Sequence, residues 1–149
     1  MKKSLITILA LTMLVTVIGC GKKEVSYKDG TFTGKSSIYM SEDGTDDGNG
    51  YGEITITIEN QKITACKFYT YEPDGKLKDE EYGKADGEIA NRDFYNKAQK
   101  AVASCQEYEK QIVAKGELKG IDAISGATIN YNAMEEAMSN ALDEAKIKE

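Results

Sequence analysis

The segment with the most chemical content lies late in the chain: Gly120-Ile-Asp122-Ala-Ile-Ser125-Gly126-Ala127-Thr128-Ile129-Asn130. Small and hydroxyl-bearing residues stand there just ahead of a stretch with helical spacing, and two uses fit them. In the plainer one, Gly126 supplies a positive φ for a turn and the hydroxyls satisfy N–H groups at a helix start. In the other, free N–H groups and the positive end of the helix hold an anion such as a phosphate, and small residues let it approach the backbone closely. The Thr128 hydroxyl would then be able to carry a phosphate covalently, given an enzyme to install it.

Other residue types narrow the chemistry. The chain has no histidine and no C-x-x-C spacing, so zinc sites, haem attachment and histidine-based catalysis lack their usual residues. Redox or transfer chemistry must come from an organic cofactor or from carboxylates. The pairs Glu80-Glu81 and Glu135-Glu136 are adjacent and diverge on any regular element, which gives no glycosidase-type pair. Asp43, Thr45, Asp47 and Gly48 partly match a calcium loop, but its twelfth position is Ile54 and no helix flanks it, so a solvated acidic loop is expected. Cys66 and Cys105 either bridge, as exported cysteines can, or sit as small buried hydrophobes, the commoner state. The nine tyrosines include rings able to stack on a flat ligand, yet most tyrosines at such spacings are half-buried core.

The elements that would position the late segment are legible as an order of strands and then helices. Asp29-Gly30 marks a turn, and Thr31 to Tyr39 reads as a strand. Residues 41–50 form an acidic, glycine-rich loop. Ile54, Ile56 and Ile58 alternate with polar residues, a period of two. Asn60-Gln61 is expected to turn into a second strand, Lys62 to about Tyr71, giving an antiparallel hairpin with one buried face. Pro73-Asp74-Gly75 is a further turn, and the charged stretch 76–86 has no clear period. Helical spacing runs from Ile89 to Ala114 and again from about Asn132 to Ile147, with Asn132 and Glu135 placed as an N-cap and its partner. The expected fold class is α+β: an antiparallel sheet with hairpins followed by two main helices in one domain.

The first residues follow the grammar of a secretory signal: Lys2 and Lys3, then an apolar run from Leu5 to Ile18. That run of about 14 residues would span ~21 Å as a helix, short of a ~30 Å hydrocarbon core. Its ending, Val17-Ile18-Gly19-Cys20, resembles a bacterial lipobox, in which the cysteine is acylated and becomes the new N-terminus. The expected organisation is a signal peptide over 1–19, a lipidated tether over 20–26 beginning at Cys20, and a domain over 27–149. Without Lys2 and Lys3, the 19 basic residues become 17 against 25 acidic ones, a net charge of −8. That sign argues against nucleic acid as a partner and against anionic headgroups as the anchor.

Asp122-x-x-Ser125-Gly126-Ala127-Thr128 resembles the D-x-x-S-G-A-T signature of FMN-binding domains. These occur in the C subunit of sodium-pumping NADH:quinone reductase, the G subunit of Rnf complexes and small extracellular flavoproteins. Tyr27 to Gly34, with Phe32 where tyrosine is usual, is similar to the family's opening strand. Gly50 to Ile58 is similar to its glycine-led strand, and Ala133, Ala137 and Ala141 to its small-residue helix. The chain departs from the family at Ile129, Asn130 and Tyr131, where further hydroxyl residues often follow the motif.

The resemblance implies FMN as cofactor, esterified through its phosphate to Thr128 by a separate FAD-dependent flavin transferase. Ser125, Gly126 and Ala127 would shape the turn, and Asp122 would belong to the transferase recognition motif. It further implies a lipid-anchored electron carrier on the extracytoplasmic face of the bacterial membrane, between a membrane redox donor and another acceptor. The alternatives are a non-catalytic surface lipoprotein, acting as a binding or antigenic module, and an extracellular reductase with non-covalent FMN.

Overall fold

Alternating isoleucines give the sheet its buried face, and glycine permits the helix to lie on it. The computed structural model describes residues 25–45 and 48–148. The expected signal peptide, Cys20 and most of the expected tether fall outside these residues, as do Asp46 and Asp47 of the acidic loop. Strands β1 (Gly30–Lys35), β2 (Tyr51–Glu59) and β3 (Lys62–Tyr71) form an antiparallel sheet in that order. Helices α1 (Arg92–Lys115) and α2 (Thr128–Ala145) follow. The α+β expectation is met.

The hairpin between β2 and β3 turns at Asn60 and Gln61, both with positive φ, 52° and 66°. Two positive values match the twist of the paired strands. Gln61 gains from its side chain, whose amide accepts from the Tyr27 N–H at 2.8 Å and donates to the Tyr27 carbonyl at 2.6 Å. A register shift at Thr57/Ile58 sets Ile58 opposite Ile63 and Thr57 opposite Ala65. This bulge explains how Ile63 and Cys66, three apart, both face inward on a strand whose period is two.

Both helices cover the isoleucine face: α1 packs on β3, and α2 on β1 and β2. On α2 the inward stripe is Met134, Ala137, Met138, Ala141 and Ala145, all fully buried. The alanines let the helix approach so closely that a Cβ on Gly34 would stand 2.0 Å from the Ala137 carbonyl oxygen. Residues ahead of β1 pair with the chain beyond α2: Lys28 N–H donates to Ala145 O and Ile147 N–H to Ser26 O, each at 2.9 Å. The two ends of the described chain are thus joined beside the C-terminal end of α2.

Element limits differ from expectation in instructive ways. The first strand stops at Lys35; Ser36 still donates its N–H to Gly52 O at 2.9 Å, and beyond it contact with the sheet continues through an isolated bridge between Tyr39 and Gly50. Helix α1 begins at Arg92 because the Asn91 side chain caps it, accepting from the Phe94 N–H at 3.0 Å, and it ends at Gly116 in the left-handed region. Helix α2 begins at Thr128, four residues before the expected cap, so Asn132 lies inside the helix. Its cap position is Ala127, with no side-chain hydrogen bond. The sequence pattern misled because a cap was sought where a hydroxyl or amide stood, and this helix starts without one.

Cys66 and Cys105 are free, buried thiols. Burial pushes Cys66 up to about 12 and Cys105 to about 11, from 9.0. In the unfolded chain these thiols ionise near pH 9, whereas in the folded one they resist. Their contribution to stability is therefore whole below pH 9 and is lost as pH rises toward 11–12. Two outcomes follow. Iodoacetamide should label neither thiol in native protein at pH 8 but both in urea, and fast native labelling would contradict the burial. Gly34→Ala should cost about 3 kcal/mol in urea unfolding, because the clash is with helix backbone that no rotamer can relieve.

Candidate functional site

The segment ahead of α2 is held by its backbone, which leaves several of its side chains outward. Ala127 N–H donates to Ile124 O at 3.0 Å, closing a turn whose third residue is Gly126 at φ 80°. That position requires a positive φ, which glycine meets without strain. From α1, the fully buried Tyr108 places its hydroxyl under the turn, accepting from the Ile124 N–H at 3.1 Å and donating to Ala127 O at 3.5 Å. Burial raises the Tyr108 phenol above its ordinary value, so it stays protonated and able to donate. Gln111 clasps Asp122 similarly, accepting from its N–H at 2.8 Å and donating to its carbonyl at 3.3 Å.

The first turn of α2 is electrostatically open. It has no capping side chain and no acidic residue, so nothing on the helix offsets its positive end. Thr128, its first residue, is exposed, as are Ser125, Gly126 and Asp122. Ala127 is buried and must be small. Asn130, also buried, donates from Nδ2 to Ala101 O at 2.7 Å and to Ser104 Oγ at 3.2 Å, fastening this turn to α1.

Beside the turn lies a cavity of about 200 Å³. Residues 126–130 form one wall, and α1 supplies Phe94, Lys97, Ala98, Ala101 and Val102. Tyr82 and Lys78 come from the irregular charged segment, Thr70 from β3 and Gly48 from the acidic loop. That charged segment is pinned, since Gln99 Nε2 donates to the carbonyls of both Asp79 and Tyr82 at 2.9 Å. Lys78 is itself buried, with its Nζ donating to Gly48 O at 3.1 Å and lying 4.7 Å from the Tyr82 ring centroid. Lys100 Nζ stands 3.4 Å from where a Cβ on Gly126 would be, so that cation lies beside the turn.

Rings of Tyr82 and Phe94, aliphatic walls, lysines and an uncapped helix start fit a flat aromatic ligand with an anionic tail. The volume is below the roughly 300–1,000 Å³ of pockets that enclose a drug-sized ligand. A larger group would keep an exposed edge.

The structure brings Thr128, Ala127 and Gly126 to the cavity, while Ser125 and Asp122 lie outside its lining. Sequence reasoning missed Asn130, Tyr82, Phe94 and the lysines. Asn130 carried a signal: it lies one helical turn before Met134 on the buried stripe, where a polar residue needs a partner. The acidic loop ends in strand β2 as expected, with Ile54 in the core. Among the described residues no acidic, histidine or cysteine cluster is arranged to hold a metal ion.

Residues 48–143 match the family model described as FMN-binding domain. That span takes in the cavity, the turn and almost all of α2. The crystal structure of the CPE2226 protein from Clostridium perfringens shares the fold, with a TM-score of 0.57 at 20% identity over 80% of this chain and 89% of that one. No curated protein matches the chain.

Tyr108→Phe should keep the core filled but leave the Ile124 N–H without its acceptor. The expected cost is about 1–2 kcal/mol in urea unfolding, together with faster amide exchange at Ile124. Unchanged exchange there would show that the phenol does not hold the turn.

Proposed function

Because the chain belongs to the FMN-binding domain family, we propose that it is a lipid-anchored electron carrier outside the cytoplasm, with FMN esterified to Thr128. The observation that carries this reading is the placement of Thr128. It is exposed, it begins an uncapped helix, and it borders a cavity lined with aromatic rings and lysines.

A bound flavin supplies one- and two-electron chemistry that the side chains of this protein lack. The chain's own residues attach, orient and shield it. In the attachment step, the Thr128 hydroxyl oxygen would attack the flavin-side phosphorus of FAD held on a flavin transferase. The phosphoanhydride breaks, AMP leaves, and the hydroxyl proton passes to solvent. The phosphodiester would retain one negative charge, which the positive end of α2 would help to offset, with Lys100 Nζ standing beside Gly126. Tyr82 and Phe94, which line the cavity, would offer their rings to the aromatic part. Asn130 and Tyr108 keep the attachment point fixed, since both bind the turn to α1.

Covalent linkage suits a protein outside the cell, where dissociated FMN would diffuse away. A lipid on Cys20 similarly keeps the carrier near a membrane-bound donor. Both modifications are supported by the sequence: Val-Ile-Gly-Cys ahead of a polar tether, and Asp122 with Ser125 to Thr128 in the motif order.

Full-length protein co-expressed with a flavin transferase should be yellow and heavier by one FMN less one water. Thr128→Ala should lose that mass while unfolding within about 0.5 kcal/mol of the parent, because the side chain is exposed. A colourless parent with no added mass sinks the reading. An adduct that persists in Thr128→Ala moves the attachment elsewhere.

A further inference from the structure

Next to the cavity the surface breaks a general pattern. Ile38, Tyr39 and Met40 are consecutive and exposed, at 54%, 43% and 57%. Three exposed apolar residues in a row serve no core, and on a soluble surface such a run usually marks a contact site. The run is held in place: Tyr39 N–H donates to Gly50 O at 2.7 Å, and Gly50 N–H to Tyr39 O at 2.9 Å. Just beyond it, Ser41 N–H donates to the Asn49 side chain at 2.6 Å.

This run walls a groove whose other side is α2, with Ile129 and Ala133 in its lining. Ile129 also lines the cavity at Thr128, so the groove and the attachment point share a residue. Three carboxylates border the groove, Glu42, Asp43 and Glu136, and among the described residues no lysine or arginine does. Asp43 stays ionised in all but strongly acid solution, because the hydroxyls of Ser41 and Thr45 hold its carboxyl down at about 2.

We propose that Ile38 to Met40 and the groove beside Ile129 are the docking face for a redox partner protein whose contact surface is apolar at its centre and cationic at its rim. This rests on the flavin reading, which supplies the reason for a contact face at this end of α2. The carboxylates decide among occupants. Anionic lipid headgroups would be repelled by them. A second copy meeting the same face would set acidic rim against acidic rim. A partner ringed with lysines gains attraction on approach and burial of the apolar run on contact.

Mitochondrial cytochrome c, a soluble haem protein with lysines around its exposed haem edge, serves as the probe. The full chain in neutral detergent is titrated with it and followed by NMR. Shifts should concentrate at residues 38–43, and binding should weaken as salt is raised. Glu42→Lys with Glu136→Lys should lower the rate of haem reduction by the chemically reduced, FMN-loaded protein about tenfold at low salt. Transfer to a small neutral quinone should stay unchanged. Ile38→Ser with Met40→Ser should weaken binding several-fold without altering its salt dependence. Shifts centred on another face, or charge-reversed protein that binds and reduces cytochrome c like the parent, would overturn the proposal. A preparation without the adduct fails the functional reading instead, and the binding map alone then decides this one.

Discussion

The contact that the rest of the molecule depends on is the near-touch of helix α2 and strand β1. A glycine at position 34 and alanines at 137 and 141 bring helix backbone against strand backbone. That spacing fixes the helix axis over the sheet, and the axis fixes where the helix begins. Its first turn is not fixed by its own cap, since it has none. It is fixed from the middle, by packing, and then trimmed by Asn130 and Tyr108 reaching across from or to α1. A helix set by its body is free to leave its end unsatisfied.

That freedom is what the site uses. In an acidic chain, the neighbourhood of Thr128 collects the lysines at 78, 97 and 100 and the positive end of a helix. The same short stretch of α2 has carboxylates on its other flank, around the groove at Ile129. Charge is therefore sorted by side and not averaged over the surface. The helix start separates a cationic wall, suited to an anionic tail, from an acidic rim, suited to a cationic neighbour.

Much of this arrangement is legible in the order of the amino acids. The alternation of Ile54, Ile56 and Ile58, the Asn60-Gln61 turn and the stripe from Met134 to Ala145 announce the sheet and helices, because burial imposes a period. The end of the motif, Gly126 to Thr128, falls on the cavity, because small residues and a glycine at a turn permit a close approach. The walls are hidden for a physical reason. Tyr82 and Lys78 sit in a segment without a period, pinned by side-chain bonds from Gln99 that no local pattern announces. Phe94 looks like one more inward residue of α1. The start of α2 is misplaced for the opposite reason: a local cap rule does not govern a helix positioned by tertiary contact.

The pairing of Ser26 to Lys28 with the chain beyond Ala145 has a mechanical consequence. The polypeptide enters the domain at the far end of α2 from Thr128. Eighteen residues separate those ends, about 27 Å at 1.5 Å per residue. Any pull or restraint applied upstream of Ser26 would act on one pole of α2, while Thr128 stands at the other. The length of the helix therefore sets how far the Thr128 end stands from the point where the chain enters the domain.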